Sequence, residues 1–280
     1  MLQWINRIIA TVLIPLFMAT NSPVFYLKQM ANQPKELIPI ADSDVIKEPM
    51  HITAHRGVNG LAPENTLPSY ELAVEHGYYS AECDIKLTSD NVWVLSHDSL
   101  VSSNFWQLGT IAHTDFATLR TYPYNSGANF WLYPDLRIAT LDEFLDVFAG
   151  SNTRPQIEIK TSNYDMLHTV LEAVRAKGME KQAIIISFDL KQLQIIRDLD
   201  PDIELWYLVY GITQKKIDEA KALGNCWLSA DRKTNNERTI RKALSQDVGL
   251  SLWTVDSVKD TEKLYNMGVR YIETDRLCNG

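Results

Sequence analysis

The sequence has few cysteines and little positive charge, and both shortages exclude classes of protein. Its 280 residues include three cysteines, Cys83, Cys226 and Cys278. They are widely spaced and odd in number, so they form neither a CxxC metal motif nor a disulfide framework, and we expect small buried thiols. The formal net charge is −8, whereas nucleic-acid binding needs a basic surface that neutralises phosphates. We therefore predict no nucleic-acid partner.

A glycine-rich turn is missing as well. No glycine-rich phosphate-binding sequence follows the first apolar run of the chain, so we do not expect a dinucleotide-binding, doubly wound sheet. The residues are 45% hydrophobic and 22% charged. This composition suits one large globular domain, or two small ones, with enough apolar side chains to build a core.

The N-terminal segment, residues 1–28, stands apart because residues 8–27 carry no charge. About 20 apolar residues span a bilayer, and this stretch reaches that length although Pro15 and Pro23 interrupt it. We interpret it as an N-terminal hydrophobic helix that anchors the protein in a membrane. A cleaved export signal and an amphipathic or core helix are the alternatives. Residues 29–50 combine prolines with mixed charge and are predicted to be a linker.

The rest of the chain alternates strand-like and helix-like segments. Eight apolar, β-branched or aromatic runs cover residues 51–55, 80–87, 156–160, 183–188, 204–209, 225–230, 250–255 and 271–275. Between most of them, apolar residues recur at helical spacing. This pattern predicts an α/β protein with a (β/α)8 TIM barrel in residues 51–280. A short extra strand after the second run precedes an aromatic and polar stretch, about residues 99–140, which we interpret as an inserted subdomain that shapes the pocket.

Charged and imidazole side chains end the first three predicted strands. Residues two apart on a strand point to the same face, and reacting groups lie at the carboxyl ends of the strands in barrels of this kind. A core would not tolerate so many charges without a ligand, so we expect these side chains to converge on a site. They are His55, Arg56, Glu82, Asp84, Glu158 and Lys160.

Glu82, Asp84 and Glu158 are candidate metal ligands. Three carboxylates on rigid strands offer hard oxygen atoms, which suit one divalent ion, Ca²⁺ or Mg²⁺, rather than a soft metal. The alternative is a network of ion pairs at the strand ends, with no metal.

His55 and His97 are candidate acid and base catalysts, because imidazole titrates near neutral pH. Arg56 and Lys160 supply positive charge for an anion, and the planar guanidinium of arginine matches a phosphate. Two histidines, two cations and a divalent ion together indicate hydrolysis of a phosphodiester. A glycosidase would use two carboxylates and would not need this set.

Two further residues are open to two interpretations each. Glu64 either belongs to a helix entry, with Thr66 as the cap, or orients a histidine or arginine of the site by a hydrogen bond. Trp253 either packs in the core or forms an apolar wall for a polyol or a headgroup.

These residues lie in motifs that together resemble the glycerophosphodiester phosphodiesterase family. The motifs occur in the family's order: "HRG" at 55–57, "PENT" at 63–66, "ECD" at 82–84, "TSD" at 88–90 and "HD" at 97–98. Later blocks such as "IEIK", "LWTVD" and "GVRYIETD" extend the resemblance to about residue 276. The combination is specific, although each short motif alone is not.

The resemblance implies a fold, a reaction and a set of roles. It implies a (β/α)8 barrel that cleaves glycerophosphodiesters to glycerol phosphate and an alcohol. The metal ligands would be Glu82, Asp84 and Glu158, the acid and base His55 and His97. Arg56 and Lys160 would contact the phosphate of a small-molecule or lipid-derived substrate. Some members carry a hydrophobic region before the catalytic domain, so we expect a membrane-anchored protein with an extracytoplasmic barrel, or a secreted one.

The sequence departs from the family pattern in two places. After "HD" it reads "SLVSSNFWQLG", without a cation that members often carry there, and Glu273 stands where an apolar residue is commoner. Two rival functions remain: a phospholipase-type barrel that acts on a phospholipid or sphingolipid headgroup, and a non-catalytic barrel that binds a polyol phosphate. The oligomeric state is left open.

Overall fold

The computed structural model describes residues 32–280. The predicted N-terminal hydrophobic helix lies outside these residues. Within them, no helix is both long enough and apolar enough to span a bilayer.

The architecture is a closed barrel of eight parallel strands surrounded by helices. The strands are β1 (Ile38–Pro39), β2 (His51–Ala54), β3 (Ser80–Leu87), β4 (Trp93–Leu95), β5 (Arg154–Ile159), β6 (Ile184–Ser187), β7 (Glu204–Val209), β8 (Cys226–Asp231), β9 (Leu250–Trp253), β10 (Tyr271–Thr274) and β11 (Leu277–Cys278). In the barrel they follow the order β2-β10-β9-β8-β7-β6-β5-β3, and β3 pairs with β2 to close it.

Helices follow the barrel strands, as the spacing of apolar residues predicts. They are α1 (Leu67–Glu75), α2 (Phe116–Leu119), α3 (Leu141–Val147), α4 (Leu167–Ala176), α5 (Leu190–Leu199), α6 (Gln214–Leu223), α7 (Glu237–Leu244) and α8 (Val258–Met267). Short 3₁₀ helices cover Val101–Ser103, Ile111–His113, Phe130–Leu132 and Tyr164–Met166. The predicted barrel of alternating strands and helices is therefore confirmed.

The predicted strands agree with the structure because both faces of a barrel strand are covered. Parallel strands of this kind are near-continuous apolar runs, and such runs have clear ends. β3 and β7 match the predicted residues 80–87 and 204–209 throughout. The other barrel strands differ from their predictions by one or two residues at one or both ends. The three cysteines are buried with free thiols, as expected.

Apolar side chains form two separate layers. The larger core lies between the strands and the surrounding helices. A smaller cluster belongs to strands β6 and β7 and contains Ile184, Ile186, Trp206 and Leu208, with Trp253 among the side chains packed against it. Strands β2, β3, β5 and β10 instead carry the buried polar residues Thr53, Ser80, Glu82, Gln156 and Glu273. The polar site therefore lies to one side of an apolar wall.

Residues 96–140 connect β4 to α3 and have a small core of their own. Strand β4 runs antiparallel to β3. The chain then folds around a cluster that includes Val101, Phe105, Ile111 and Leu119. This part of the chain corresponds to the predicted insertion.

The described part of the predicted linker packs against the barrel rather than extending away from it. β1 pairs in parallel with β11, and the side chains of Ile40 and Met50 are buried. At its start, Asn32 accepts a hydrogen bond from the backbone N–H of Gly127. The chain thus enters the described region beside residues 96–140.

Candidate active site

The turn after β2 brings the first site residues into place. Arg56 and Gly57 both have positive φ, 56° and 77°. A Cβ atom on Gly57 would lie 2.3 Å from Oγ of Ser69, so only glycine fits here. This turn points the backbone N–H of Arg56 at Oε2 of Glu82, which accepts its hydrogen bond at 2.9 Å.

Three carboxylates from two neighbouring strands meet beside this turn. Asp84 of β3 and Glu158 of β5 are paired residues in the sheet. Together with Glu82 they bring three carboxylate oxygens within 4.8 Å of one another. Glu82 and Asp84 are each only 1% exposed, and Oε1 of Glu82 has no hydrogen-bond partner among residues 32–280. A buried, unsatisfied carboxylate oxygen is costly, so these donors fit a divalent cation with oxygen ligands. Their role as ligands stays a prediction.

Two cations lie against the same carboxylates. Nζ of Lys160 is 3.0 Å from Oδ1 of Asp84 and 3.2 Å from Oε1 of Glu158, and Nε of Arg56 is 3.4 Å from Oδ2 of Asp84. Burial alone would raise the pKa of Asp84, but the charges of Lys160 and Arg56 outweigh it and hold that pKa well below its usual range. Asp84 is therefore an ionised carboxylate at neutral pH.

The other two carboxylates are shifted in the opposite direction. Burial, with the nearby charges of Asp84 and Glu273, raises the pKa of Glu82 well above its ordinary value. Burial and the charge of Asp84 raise the pKa of Glu158 to about 7, although Lys160 opposes the shift. The positive charge near these two carboxylates thus does not offset burial and the neighbouring carboxylates, and a divalent cation would add to it.

His55 lies between two carboxylates from the end of the barrel. Its Nδ1 donates a hydrogen bond of 2.7 Å to Oδ1 of Asp275, and its Nε2 is 3.7 Å from Oε1 of Glu273. Burial lowers the pKa of His55, but the bond to Asp275 and the charges of Glu273 and Glu82 outweigh it and raise the pKa to about 10. His55 is therefore an imidazolium at neutral pH.

His97 reaches the site from the segment after β4. Ser96 donates a backbone hydrogen bond of 2.9 Å to the carbonyl of Asp84, which fixes this segment beside the carboxylates. The ring of His97 is 35% exposed, and its Nδ1 lies 2.9 Å from Oδ1 of Asp98. Both histidines line a cavity of about 140 Å³ together with Arg56, Glu158 and Lys160. Four of the six strand-end residues therefore border one space together with His97. The other two, Glu82 and Asp84, belong to the adjoining carboxylate cluster.

The comparison with protein families decides the relationship. A model described as "Glycerophosphoryl diester phosphodiesterase family" matches residues 55–278. The chain belongs to the glycerophosphoryl diester phosphodiesterase family.

Curated relatives are similar to this chain over most of their length, and a solved structure shares its fold. A Bacillus subtilis protein named Glycerophosphodiester phosphodiesterase is 26% identical over 245 residues, which cover 79% of this chain and 82% of the relative. Probable glycerophosphodiester phosphodiesterase 1 of Mycobacterium tuberculosis is 24% identical over 243 residues, 80% of this chain and 88% of that protein. An Oleispira antarctica phosphodiesterase, solved with the product sn-glycerol-3-phosphate, has the same fold with a TM-score of 0.74 and 24% identity, over 80% and 92% of the two chains.

Glu64 and Asn65 of this family member support the site from the turn before α1. Nη1 of Arg56 lies 3.1 Å from both carboxylate oxygens of Glu64, so Glu64 does contact an arginine of the site. Asn65 forms two hydrogen bonds with Asp84. Its Nδ2 donates to Oδ2 of Asp84 at 2.8 Å, and its Oδ1 accepts from the backbone N–H of Asp84 at 2.9 Å. The sequence offered "PENT" as a motif but gave Asn65 no role.

Two partners of His55 were not predicted from the sequence. Asp275 and Glu273 lie more than 200 positions away in the sequence and reach His55 because β10 pairs with β2. The only signals were the final "ETD" and the unusual acid at Glu273. Trp253 borders the cavity that contains His55 and His97. Its Nε1 donates a hydrogen bond of 3.1 Å to the carbonyl of Ser229, which fixes the indole ring in the wall of that cavity.

Proposed function

We propose that the protein hydrolyses glycerophosphodiesters to glycerol phosphate and an alcohol, with one divalent cation, Mg²⁺ or Ca²⁺. The observation that carries the proposal is the oxygen of buried Glu82 that finds no partner within residues 32–280. It lies in a cluster of three carboxylates beside two histidines and an arginine. Family membership and the curated relatives support the reaction class.

Glu82, Asp84 and Glu158 would hold the cation. When bound, a divalent ion neutralises charge on the phosphate and polarises its oxygens. Arg56 contributes the charge of its own guanidinium, which Glu64 orients through both carboxylate oxygens. Lys160 contacts two of the carboxylates, so we assign it mainly to balancing their charge rather than to direct phosphate binding.

The two histidines take different roles because their surroundings differ. His55 is protonated at neutral pH, so it is the acid that gives a proton to the oxygen of the leaving alcohol as the P–O bond breaks. His97 is more exposed and borders the same cavity. It takes the proton from the attacking oxygen, which belongs either to the neighbouring glycerol hydroxyl or to water.

Product analysis tests this proposal against its rivals. The purified full chain is incubated with glycerophosphocholine or lysophosphatidylcholine and Mg²⁺ or Ca²⁺, and the products are followed by ³¹P NMR. We expect glycerol 3-phosphate, directly or after a transient cyclic glycerophosphate. A cyclic lipid phosphate as the end product would indicate the phospholipase-type barrel. Tight binding of glycerol phosphate without turnover of any diester would indicate a binding protein.

We also propose that residues 8–27 attach the protein to a membrane, with the barrel on the extracytoplasmic side. The uncharged stretch ends five residues before Asn32, a distance of at most about 18 Å in an extended chain. Asn32 lines a cavity of about 440 Å³ that His55 and Arg56 also border, so an anchor would hold the site close to the lipid surface. Recovery of the uncleaved chain in a detergent-free soluble fraction would contradict the anchor, and a shortened, released chain would support the secreted form.

A further inference from the structure

Three aromatic side chains form one wall of the catalytic cavity. Phe188 follows β6, Tyr210 follows β7, and Trp253 ends β9; we call them the aromatic lip. The rings of Phe188 and Tyr210 stack at 5.1 Å. Trp253 stands across both, at 5.7 Å from Phe188 and 5.8 Å from Tyr210.

The aromatic lip is exposed where apolar side chains are normally covered. Phe188 is 39% exposed and Tyr210 is 60% exposed. Both nevertheless border the cavity that contains His55 and His97. Since large aromatic groups gain free energy when they are removed from water, exposed rings at a catalytic cavity indicate a ligand that covers them.

The other side chains that line the cavity limit which ligand this is. They include Arg56, to which we assign phosphate binding, and His55 and His97, to which we assign acid–base catalysis. A diester bound there presents one of its two alcohol groups to the aromatic lip. The aromatic lip thus contacts either the glycerol or the second alcohol. Glycerol carries several hydroxyl groups, for which the three rings of the aromatic lip provide one hydroxyl partner, the phenol of Tyr210.

We propose that the aromatic lip binds the quaternary ammonium group of a choline ester, so that the preferred substrates are choline-bearing glycerophosphodiesters. The inference rests on the proposed function of the same site. A quaternary ammonium has no N–H to donate, is weakly hydrated, and is attracted to the faces of aromatic rings. A primary ammonium is a compact, strongly hydrated charge with three donors, and the aromatic lip offers it one phenol oxygen, that of Tyr210.

The size of the cavity favours a headgroup over a lipid tail. Its volume of about 140 Å³ must hold the phosphate as well as the group beside the aromatic lip, so it suits a small headgroup. An acyl chain of a dozen or more carbons occupies several hundred cubic ångströms, on the order of the volume of a drug-sized pocket.

Matched substrates test the charge and the shape separately. Values of kcat/KM are measured with the full chain for glycerophosphocholine, glycerophosphoethanolamine, and the 3,3-dimethylbutyl diester, a neutral molecule with the shape of the choline ester. We expect the choline ester to exceed both others by about tenfold, as one desolvated cation–π contact provides. Equal values for the choline ester and its neutral analogue would overturn the proposal, and so would a preference for ethanolamine.

Variants connect the preference to the rings. We expect Tyr210→Leu and Phe188→Leu to reduce the ratio of choline to ethanolamine turnover several-fold, whereas Tyr210→Phe, which keeps the ring, retains the ratio. Leu199→Ala serves as the control, since Leu199 is an exposed apolar residue on α5, 44% accessible. An unchanged ratio in both leucine variants would refute the role of the aromatic lip.

Direct binding separates this inference from the proposed function. Choline and 3,3-dimethylbutan-1-ol are titrated into the full chain, and tryptophan fluorescence is recorded. Quenching by choline alone that is lost in Tyr210→Leu would support the aromatic lip even if no diester were hydrolysed. Hydrolysis without a choline preference, and without choline binding, would leave the proposed function intact and remove the inference.

Discussion

Replacing Glu82 by glutamine changes one charge in the carboxylate cluster and little else. Glu82 is 1% exposed, and its Oε1 is unpaired among the described residues. Glutamine has nearly the same shape and can still accept the hydrogen bond from the backbone of Arg56. Because the pKa of Glu82 is raised by burial and by Asp84 and Glu273, the ionised side chain destabilises the ion-free fold at neutral pH. We therefore predict that Glu82→Gln stabilises the ion-free protein.

The expected magnitude follows from the spacing of the carboxylates. Two like charges at most 4.8 Å apart repel by at least about 3 kcal/mol at an effective dielectric constant near 20. Arg56 and Lys160 offset part of this repulsion, so we expect a net gain of about 1–2 kcal/mol in the free energy of unfolding. The gain should fade as the pH falls toward the ordinary carboxyl pKa, because a pKa that is raised in the folded state costs stability only where the carboxyl of the unfolded chain is ionised.

The same change should weaken metal binding. Loss of one charged ligand of three is expected to reduce affinity for Mg²⁺ or Ca²⁺ about a hundredfold, which removes roughly 2.7 kcal/mol of ligand-induced stabilisation. The assay is thermal unfolding with and without saturating ion, supported by calorimetric titration, and Glu75→Gln on the exposed face of α1 is the control. A lower ion-free melting temperature together with an unchanged ion-induced shift would refute the assignment of Glu82 as a ligand.

Three other predictions concern the groups around the cluster. Asn65→Leu removes both hydrogen bonds between Asn65 and Asp84, one to the backbone N–H and one to the carboxylate, and should cost about 3 kcal/mol in urea unfolding; a loss below 1 kcal/mol would contradict this role of Asn65. The pKa of Asp275 is about 2, because burial, which raises it, is outweighed by the hydrogen bond from His55. Its ionised form thus stabilises the fold above about pH 4, and roughly 2 kcal/mol is lost as the pH falls to 2. In acid unfolding, the Asp275→Asn variant should not show this loss of stability. Lys160→Met should lower the stability of the ion-free protein, in contrast to Glu82→Gln, and added Mg²⁺ should restore part of it; a gain in ion-free stability would show that Lys160 does not balance the cluster.

The sequence predicted the half of the site that lies on consecutive strands. The "ECD" and "IEIK" segments alternate polar and apolar residues on buried strands, and that alternation alone orients Glu82, Asp84 and Glu158 toward one face. The contact between Arg56 and Glu64 could also be predicted from the sequence, because the two residues are only eight positions apart.

The other half depends on how the barrel closes. Asp275 and Glu273 meet His55 only because β10 pairs with β2 in a fixed register, and no local pattern specifies that register. The aromatic lip comes from three separate strands for the same reason. The ion pair of Lys160 with Asp84 follows from the pairing of β5 with β3, which the sequence does not state. The phosphate contact expected of Lys160 stays a prediction.

Metal-dependent release of glycerol 3-phosphate tests the account most directly. The purified full chain is stripped with a chelator, and glycerophosphocholine turnover is measured before and after Mg²⁺ or Ca²⁺ is restored, beside His97→Ala. The account predicts no release from the stripped protein, recovery with at least one ion, and a loss of at least a hundredfold in the variant, which keeps its fold. Undiminished release from the stripped protein, or none with either ion from a folded chain, would contradict it.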